Sequence, residues 1–293
     1  MNNIFERYLT VMNRSKVKYL TCLYLVLLLA CSNADKSIKV KGSDTEVNLA
    51  VGLAEHFYKV HHDFSVAISG GGSGLGIASL LNGQTDIANS SRPLNSEEVS
   101  LLKTKGISIR TVVFAEDATV FIVNRAFPLD SVDVATLTRV LSGQYKTWKL
   151  VTGQDMPVNI YGRQSNSGTH SFISKKLNIQ FSREAKEMNG NAQIVEGVKR
   201  DRSGIGYVGA GYLPGNNRTQ PVKVLKISVK QGSAAISPLD VKAIAARKYY
   251  FQRPLYQFIP VTSWDKVEAF IDFEKSAAGQ QIITASGYYI IPK

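Results

Sequence analysis

The chain has 293 residues, of which 44% are hydrophobic and 20% are charged, so it can form one large or two modest globular domains. Its formal charge is +12, and residues 1–30 contribute a net +3 of it, which leaves about +9 for the remainder. The lysines and arginines are scattered and lack interleaved aromatic residues. This pattern argues against a nucleic-acid partner and favours a basic exterior that attracts anions.

The N-terminus has the pattern of a bacterial secretion signal. A basic stretch ending at Lys18 precedes the apolar run 19–30, which is too short to span a bilayer comfortably. We therefore predict a lipoprotein signal peptide over residues 1–30, with an ordinary signal peptide or an uncleaved anchor as alternatives. The ending Leu-Leu-Ala-Cys31 resembles a lipobox, in which the cysteine is acylated. We expect lipid chains such as palmitate on Cys31 and a polar tether over residues 31–36.

Three strand-to-helix junctions in the first third of the chain carry hydroxyl side chains. Each follows a short apolar strand, and they lie at residues 42–46, 69–74 and 90–94. A helix start leaves backbone N–H groups unpaired, and glycines let a ligand approach the backbone closely. The second junction is not a nucleotide-binding loop, because no Gly-Lys-Ser/Thr follows its glycines. Leu75 stands where a serine-hydrolase elbow needs glycine.

The middle of the chain contains a predicted crossing and a fourth junction. Strands are predicted at residues 108–114 and 119–123, and the polar residues 115–118 between them are interpreted as a crossing between two lobes. Further on, the strand 158–161 runs into a stretch, residues 162–170, that combines one arginine with three serines or threonines and a glycine. A guanidinium and hydroxyls beside a helix start favour binding of a tetrahedral oxyanion. An N-capped helix with a surface arginine is the alternative.

The last third of the chain is less regular. We predict strands at residues 193–196 and 204–208, and an apolar run over 222–229 that returns the chain to the first lobe. Residues 230–253 show little periodicity and are assigned no structure. Residues 264–291 are predicted to form two helices and a final aromatic strand.

Strands that alternate with helices predict an α/β fold with a mostly parallel sheet. In such sheets ligands bind at the carboxyl ends of the strands, where the hydroxyl-rich junctions lie. We therefore expect the four junctions to meet in one cleft that holds an anion. The sequence predicts no cofactor, no metal site and no catalytic triad, so an enzyme such as a phosphatase is the less favoured class.

The set of motifs resembles the phosphate-binding lipoprotein family of the bacterial high-affinity phosphate ABC transporter. The motifs are, in order, Gly42-Ser-Asp-Thr45, Gly70-Gly-Gly-Ser73-Gly74, Asn89-Ser-Ser-Arg-Pro93, Arg163…Ser167-Gly-Thr169 and Gly204-Ile-Gly-Tyr207. The resemblance implies an α/β, two-lobe periplasmic-binding-protein fold, type II-like, with a mixed sheet in each lobe and two hinge crossings. Lobe 1 would comprise residues 37–115 and 225–293, and lobe 2 residues 119–224.

The resemblance also implies which residues bind phosphate. Arg163 would make a forked, charge-assisted contact, Glu46 and Gly168 would each offer a backbone N–H, and the other residues would offer hydroxyls. The implied phosphate-binding residues are Thr45, Glu46, Ser73, Ser91, Arg163, Ser167, Gly168 and Thr169.

Two positions depart from the family pattern. Better-known members have an aspartate where this chain has Ser91, and it accepts a hydrogen bond from the proton of phosphate. A serine hydroxyl can also accept, but it rejects sulfate less strongly. Those members also have an aspartate at Ser165 that holds the arginine, so we expect Arg163 to be less tightly oriented. Asp44 is a candidate replacement acceptor, and His170 is interpreted as lying beside the site or in the core.

The implied function is a lipid-anchored receptor that binds inorganic phosphate between two lobes and delivers it to an ABC permease with its ATPase. It would lie in the periplasm or on the outer cell surface, held to a membrane through Cys31. A receptor for another tetrahedral oxyanion, such as sulfate, is one alternative. A phosphate sensor or adhesin on the same fold is another.

Overall fold

The structure is a computed structural model that describes residues 36–213 and 222–291. The predicted signal peptide, Cys31 and the first part of the predicted tether lie outside the described residues. Contacts divide the chain into Met1–Lys36 and Ser37–Lys293, and all the described strands and helices lie in the second unit. Among the described residues, no helix combines the length and the hydrophobicity needed to span a bilayer.

Strands and helices alternate along most of the chain, as predicted. The strands are β1 (Ser37–Gly42), β2 (Ser65–Ser69), β3 (Ile87–Ser90), β4 (Ile109–Asn124), β5 (Ser131–Asp133), β6 (Asn159–Arg163), β7 (Lys186–Met188), β8 (Gly204–Gly209), β9 (Val222–Val224), β10 (Lys226–Ser228) and β11 (Gln252–Pro260). The helices are α1 (Val47–Val60), α2 (Ser73–Leu81), α3 (Ser96–Thr104), α4 (Val134–Leu141), α5 (Lys149–Thr152), α6 (Gly168–Leu177), α7 (Asn191–Arg200), α8 (Val241–Ala245), α9 (Trp264–Lys275) and α10 (Ala277–Ala285).

The described strands form a nine-stranded mixed sheet and a separate pair, β5 with β10. The order in the large sheet is β2-β1-β3-β11-β4-β8-β6-β7, with β9 paired to β4. Pairing is parallel at both ends, where β1 joins β2 and β3 and where β6 joins β7 and β8. It is antiparallel in the middle, where β11 joins β3 and β4 and where β4 joins β8. The α/β fold with a mixed sheet is therefore confirmed, and the middle strands depart from the mostly parallel arrangement that the strand–helix alternation predicts.

Strand β4 runs through both halves of the sheet. Its first part pairs with β11, from Ile109 opposite Pro260 to Ala118 opposite Gln252, and its second part pairs with β8 from Thr119 onward. The predicted break at residues 115–118 is wrong as secondary structure, because the strand is continuous there. The polar residues stay in the strand because they have partners: Asp117 pairs with Arg253, and Glu116 pairs with Arg247.

Two large hydrophobic cores pack on the sheet, one along the first part of this continuous strand and one along its second part. The first gathers apolar side chains from β1, α1, α9 and α10, including Ile38, Leu53, Phe57, Phe270 and Ile283. The second gathers side chains from the second half of β4, α4, β6, α7, β8 and β9, including Phe121, Leu137, Ile160, Val198, Ile205 and Val224. Leu49, Ala50, Leu53 and Phe57 recur at helical spacing and form the buried face of α1.

Two local predictions in the last third are wrong. Residues 193–196 belong to helix α7 rather than to a strand, because Ile194 and Val198 bury one face at a spacing of four. The C-terminal helices are confirmed, but the aromatic residues after them form no strand. Tyr289 makes a single bridge to Glu116 instead. Residues 230–253, to which the sequence assigns no structure, contain helix α8 and the beginning of β11.

Candidate functional site

The four hydroxyl-rich junctions meet at one place. Strands β1 and β3 are neighbours, and Ser43 N donates to Asn89 O at 2.9 Å between the first and third junctions. The glycine-rich second junction reaches the fourth, because Gly74 N donates to Asn166 O at 3.0 Å. The predicted meeting of distant loops is therefore observed, and their side chains form the cluster described next.

Three serine hydroxyls lie next to one another, and two of them, those of Ser73 and Ser91, pack against the start of helix α6. Ser43 Oγ donates to Ser91 Oγ at 3.1 Å, Ser73 Oγ lies 3.5 Å from Ser91 Oγ, and Ser91 N donates to Ser73 Oγ at 3.1 Å. A Cβ added at Gly168 would overlap Ser73 Oγ and lie 2.5 Å from Ser91 Oγ. The absence of a side chain at Gly168 thus allows the backbone of α6 to approach these hydroxyls. Ser73 and Ser91 are both almost fully buried.

Thr45 and Thr169 join the first junction to the fourth. Their Oγ1 atoms lie 3.0 Å apart, although the residues are 124 positions apart in sequence, and both side chains are buried. Ser167 caps helix α6, and its Oγ accepts from Thr169 N at 3.2 Å and His170 N at 3.5 Å. The cluster therefore includes hydroxyls from the first and the fourth junctions, together with the N-terminus of helix α6.

Arg163 is a buried cation of the site. Its side chain is 1% exposed, and burial lowers its pKa while the nearby carboxylate of Asp44 raises it. Nη1 donates to Asp44 Oδ2 at 3.1 Å and Nη2 donates to Asn189 O at 2.9 Å. Nε is buried and has no hydrogen-bond partner. The guanidinium thus keeps a donor that the protein leaves unsatisfied.

Asp44 holds Arg163 in place. Its Oδ2 also accepts from Asn191 N at 2.8 Å and from Asn191 Nδ2 at 2.6 Å. Ser165 is exposed to solvent and lies outside the buried cluster. The expectation that Arg163 is less tightly oriented is wrong, because Asp44, the candidate replacement acceptor, supplies from the first junction the carboxylate that Ser165 lacks.

The side chains of two predicted site residues, Glu46 and His170, are not among the clustered hydroxyls. The backbone N–H of Glu46 donates to Ser43 O at 3.2 Å within the short turn Asp44–Glu46. The Glu46 carboxyl is fully buried without a hydrogen-bond partner, and burial raises its pKa well above the usual range. His170 packs its ring against Phe181, with centroids 4.6 Å apart, and burial lowers its pKa.

Arg253 and Asp117 lie in the cluster but were not identified from the sequence. Arg253 Nε and Nη2 donate to Asp117 Oδ2 at 3.0 and 2.8 Å, and Nη2 also donates to Thr169 Oγ1 at 3.0 Å. Both side chains are buried. The pair forms because β4 and β11 place residues 117 and 253 directly opposite each other. No local sequence pattern marks such a pairing. Its one visible sign was the presence of two adjacent polar residues, at positions 116 and 117, within an otherwise apolar strand.

The arrangement suits a small tetrahedral oxyanion. Hydroxyls, the N-terminus of α6 and the free Nε of Arg163 are all donors, and such groups together bind anions strongly when water is excluded. In residues 36–213 and 222–291, no group of three or more His, Cys, Asp or Glu side chains could hold a metal ion.

Known proteins with similar sequences and folds point the same way. The family model described as PBP superfamily domain matches residues 30–277. The phosphate-binding protein PstS of Borreliella burgdorferi is 28% identical over 274 residues, covering 89% of this chain and 93% of that protein. PstS of Staphylococcus saprophyticus is 29% identical over 283 residues, covering 92% and 87%.

Solved structures show the same architecture. An ABC-type phosphate transport receptor from Vibrio cholerae has a TM-score of 0.68 at 25% identity, covering 87% of this chain and 100% of that one. A substrate-binding protein from Clostridium perfringens, solved with bound phosphate, has a TM-score of 0.77 at 23% identity, covering 87% and 100%. The latter likeness shows the fold.

Proposed function

We propose, from the premise that the chain belongs to the PBP superfamily, that it is a receptor that binds inorganic phosphate and delivers it to an ABC permease and its ATPase. One observation carries the proposal: four junctions far apart in sequence bring buried hydroxyls, a helix N-terminus and a buried arginine together. The names of the relatives support phosphate as the anion and transport as the context. The same names describe binding proteins, which supports a receptor rather than an enzyme.

The anion would bridge the two sides of the cluster. Arg163 would contribute its free Nε and its charge, and Gly168 would contribute a backbone N–H at the start of α6. These contacts would come from both proposed lobes. Only an arrangement in which the lobes are closed around the anion makes all of them, so the anion would favour closure of the lobes. The proposed phosphate ligands are Thr45, Ser73, Ser91, Arg163, Ser167, Gly168 and Thr169, with the N–H of Glu46 as a further donor once it leaves Ser43 O.

A different tetrahedral anion is the second candidate, and Ser91 is the observation that favours it. Ser91 Oγ accepts from Ser43 Oγ and has a proton of its own, so it can offer an anion a donor as well as its remaining lone pair. Phosphate near neutral pH carries a proton that needs an acceptor, whereas sulfate carries none, so a donor at this position discriminates weakly between them.

Titration calorimetry of the purified protein with phosphate and with sulfate at two pH values tests both candidates. Phosphate binding that is tighter than sulfate binding at neutral pH is the expected result. A preference for sulfate would support the second candidate, and binding of neither anion would contradict the receptor function. A strain lacking the gene separates transport from sensing or adhesion, because only a transport receptor is required for phosphate uptake.

The membrane anchor is a separate proposal, and it concerns residues outside the described part of the chain. We infer that Cys31 is lipidated after removal of residues 1–30, which would place the protein in the periplasm or on the outer cell surface. Labelling of cells with a palmitate analogue should mark the wild-type protein and leave Cys31→Ser unmarked. A labelled Cys31→Ser protein would contradict this site.

The lobe boundaries are also proposed. We place the first crossing near residues 115–119, as expected from the sequence. For the return, residues 224–225 were expected, yet Leu225, Ile244 and Phe251 belong to the second hydrophobic core. This packing supports a return through β11 instead. Hydrogen exchange under conditions that open the protein only partly should show whether the backbone amides of residues 225–251 are protected together with those of lobe 2.

A further inference from the structure

Arg253 connects the ligand cluster to the middle strands of the sheet. It is 2% exposed and lies on β11, directly opposite Asp117 on β4. Two of its N–H groups bind Asp117 Oδ2, and Asp117 Oδ1 accepts from Ala210 N at 3.1 Å. The plane of the guanidinium is thus fixed by a carboxylate that is itself held.

The rest of the guanidinium is directed at the cluster. Nη2 donates to Thr169 Oγ1 at 3.0 Å and approaches Thr45 Oγ1 at 3.5 Å, and Nη1 approaches the carbonyl oxygen of Ser91 at 3.4 Å. Arg253 therefore contacts three of the four junctions. Its Cζ also lies 5.1 Å from the ring centroid of Phe172, which covers it from the side of α6.

The direction of these hydrogen bonds decides what the hydroxyls can do. A guanidinium has only donors, so a threonine Oγ1 that faces it must accept with a lone pair. The single proton of that hydroxyl must then point away from the arginine. Because Thr45 Oγ1 and Thr169 Oγ1 lie 3.0 Å apart, one of their two protons is shared between them. The other proton is a donor that needs no reorientation when an anion binds.

We propose that Arg253 is a positioning residue that orients the Thr45–Thr169 hydroxyl pair so that the free proton of the pair is directed towards the bound anion. The proposal rests on the proposed function, because it takes these two hydroxyls as anion ligands. Asp117 neutralises the charge of Arg253, so the contribution of Arg253 is the orientation of donors rather than the attraction of the anion. The test must therefore separate this role from that of an ion pair that only stabilises the fold.

A double-mutant cycle on phosphate affinity makes this separation. Arg253→Lys keeps a cation beside Asp117 but loses the planar fork that reaches the hydroxyls. Thr169→Val removes the hydroxyl at nearly constant volume. We expect Arg253→Lys to weaken phosphate binding about tenfold in the wild-type background and less than about twofold in Thr169→Val, as expected for residues that act through each other. Arg247→Lys is the matched control. It changes an exposed arginine paired with Glu116, next to Asp117 on β4, and should leave the dissociation constant unchanged.

Each outcome of the cycle has a defined meaning. Equal losses in the two backgrounds, or no loss at all, would overturn the positioning role while leaving phosphate binding intact. A wild-type protein that does not bind phosphate would overturn the proposed function, and this proposal with it. Thermal unfolding of each variant checks that it is folded. If Arg253→Lys is unfolded, the double exchange of Arg253→Gln with Asp117→Asn removes both buried charges, and the same cycle against Thr169→Val then applies.

Discussion

Asp44 and Arg163 form an ion pair across 119 positions of sequence, with Oδ2 of the aspartate 3.1 Å from Nη1 of the arginine. The aspartate follows β1, and the arginine ends β6, near the opposite end of the sheet. The contact therefore links two parts of the site that would otherwise be held together mainly by hydroxyls. It also explains how a chain without an aspartate at position 165 keeps its arginine in a fixed orientation.

Removal of the Asp44 carboxylate should destabilise the phosphate-free protein. In Asp44→Ala the guanidinium of Arg163 stays buried without its counter-charge, and we expect the free energy of unfolding to fall by roughly 2–3 kcal/mol. Denaturant unfolding without phosphate measures this change. Glu196→Ala is the control, because Glu196 forms half-exposed pairs with Lys199 and Arg200 and should change stability by less than about 0.5 kcal/mol. Equal effects of the two variants would contradict a structural role for the Asp44 pair.

Arg163 itself should be required for anion affinity. Arg163→Ala removes the buried charge and the free Nε, so phosphate binding should weaken by about 2 kcal/mol or more. Calorimetric titration measures the loss, and Arg200→Ala, which removes an arginine whose side chain is 80% exposed, is the comparison. An unchanged dissociation constant for Arg163→Ala would remove this residue from the site.

A single methyl group at Gly168 should disturb the cluster. The added Cβ would overlap Ser73 Oγ and press on Ser91 Oγ, so Gly168→Ala must displace hydroxyls that the anion is proposed to use. We expect a loss of phosphate affinity on the order of 1–3 kcal/mol, as for other overpacked sites. Gly52→Ala in α1 is the matched control, because its nearest neighbour would lie 3.7 Å away, and it should bind phosphate normally. Normal binding by Gly168→Ala would show that α6 does not need this close approach.

A carboxylate at position 91 should sharpen the discrimination between phosphate and sulfate. Ser91→Asp introduces an acceptor for the proton of phosphate and an unpaired negative charge against sulfate. The ratio of the two dissociation constants, measured by competition titration at neutral pH, should move towards phosphate by about tenfold or more. Ser100→Asp on the exposed face of α3 is the control for added charge. An unchanged ratio would indicate that Ser91 does not face the ligand proton.

A buried carboxyl outside the site should make stability depend on pH. Burial raises the pKa of Glu274 from about 4.5 to about 8, while a hydrogen bond from Gln257 Nε2 to its Oε1 opposes this shift. The folded protein therefore holds a proton that the unfolded chain loses above pH 4.5. The stability from this group is fully present below that pH and is lost as pH rises towards 8.

Glu46 is a second buried carboxyl with a raised pKa. Because it is present in the wild-type protein and in Glu274→Gln, a comparison of the two isolates the contribution of Glu274. We expect thermal unfolding at pH 5 to be similar in the two proteins. At pH 8.5 the variant should be more stable by an amount on the order of a few kcal/mol, at about 1.4 kcal/mol per unit of pKa shift. A stability difference that does not change between these pH values would show that Glu274 has an ordinary pKa.

The parts of the site that could be predicted are those that local sequence encodes. Glycines, hydroxyls and a following helical pattern mark each junction, so Thr45, Ser73 and Ser167 could be identified from neighbouring residues alone. The spacing of Leu49, Leu53 and Phe57 likewise fixed the buried face of α1.

The parts that could not be predicted depend on pairing between distant segments. Strand β11 begins in a stretch without periodicity, and Arg253 acquires its partner only because β4 lies beside it in one particular register. Asp44 could be named as a candidate replacement acceptor, but its contact with Arg163 depends on the same kind of distant pairing. Helix α7 was mistaken for a strand because the predicted segment, residues 193–196, is too short to show helical spacing. It includes Ile194 but not Val198, which is the next buried position on the same face.

The two central strands, β4 and β11, would also connect the proposed lobes. Hydrogen bonds between β4 and β11 run from Ile109 to Ala118, and their register shifts between Leu255 and Tyr256, where Phe114 is the extra residue. A bulge of this kind bends the strand that carries it and increases the local twist. Separation of the proposed lobes on release of the anion would therefore twist these paired strands, and the hydrogen bonds that join them would limit how far the lobes turn.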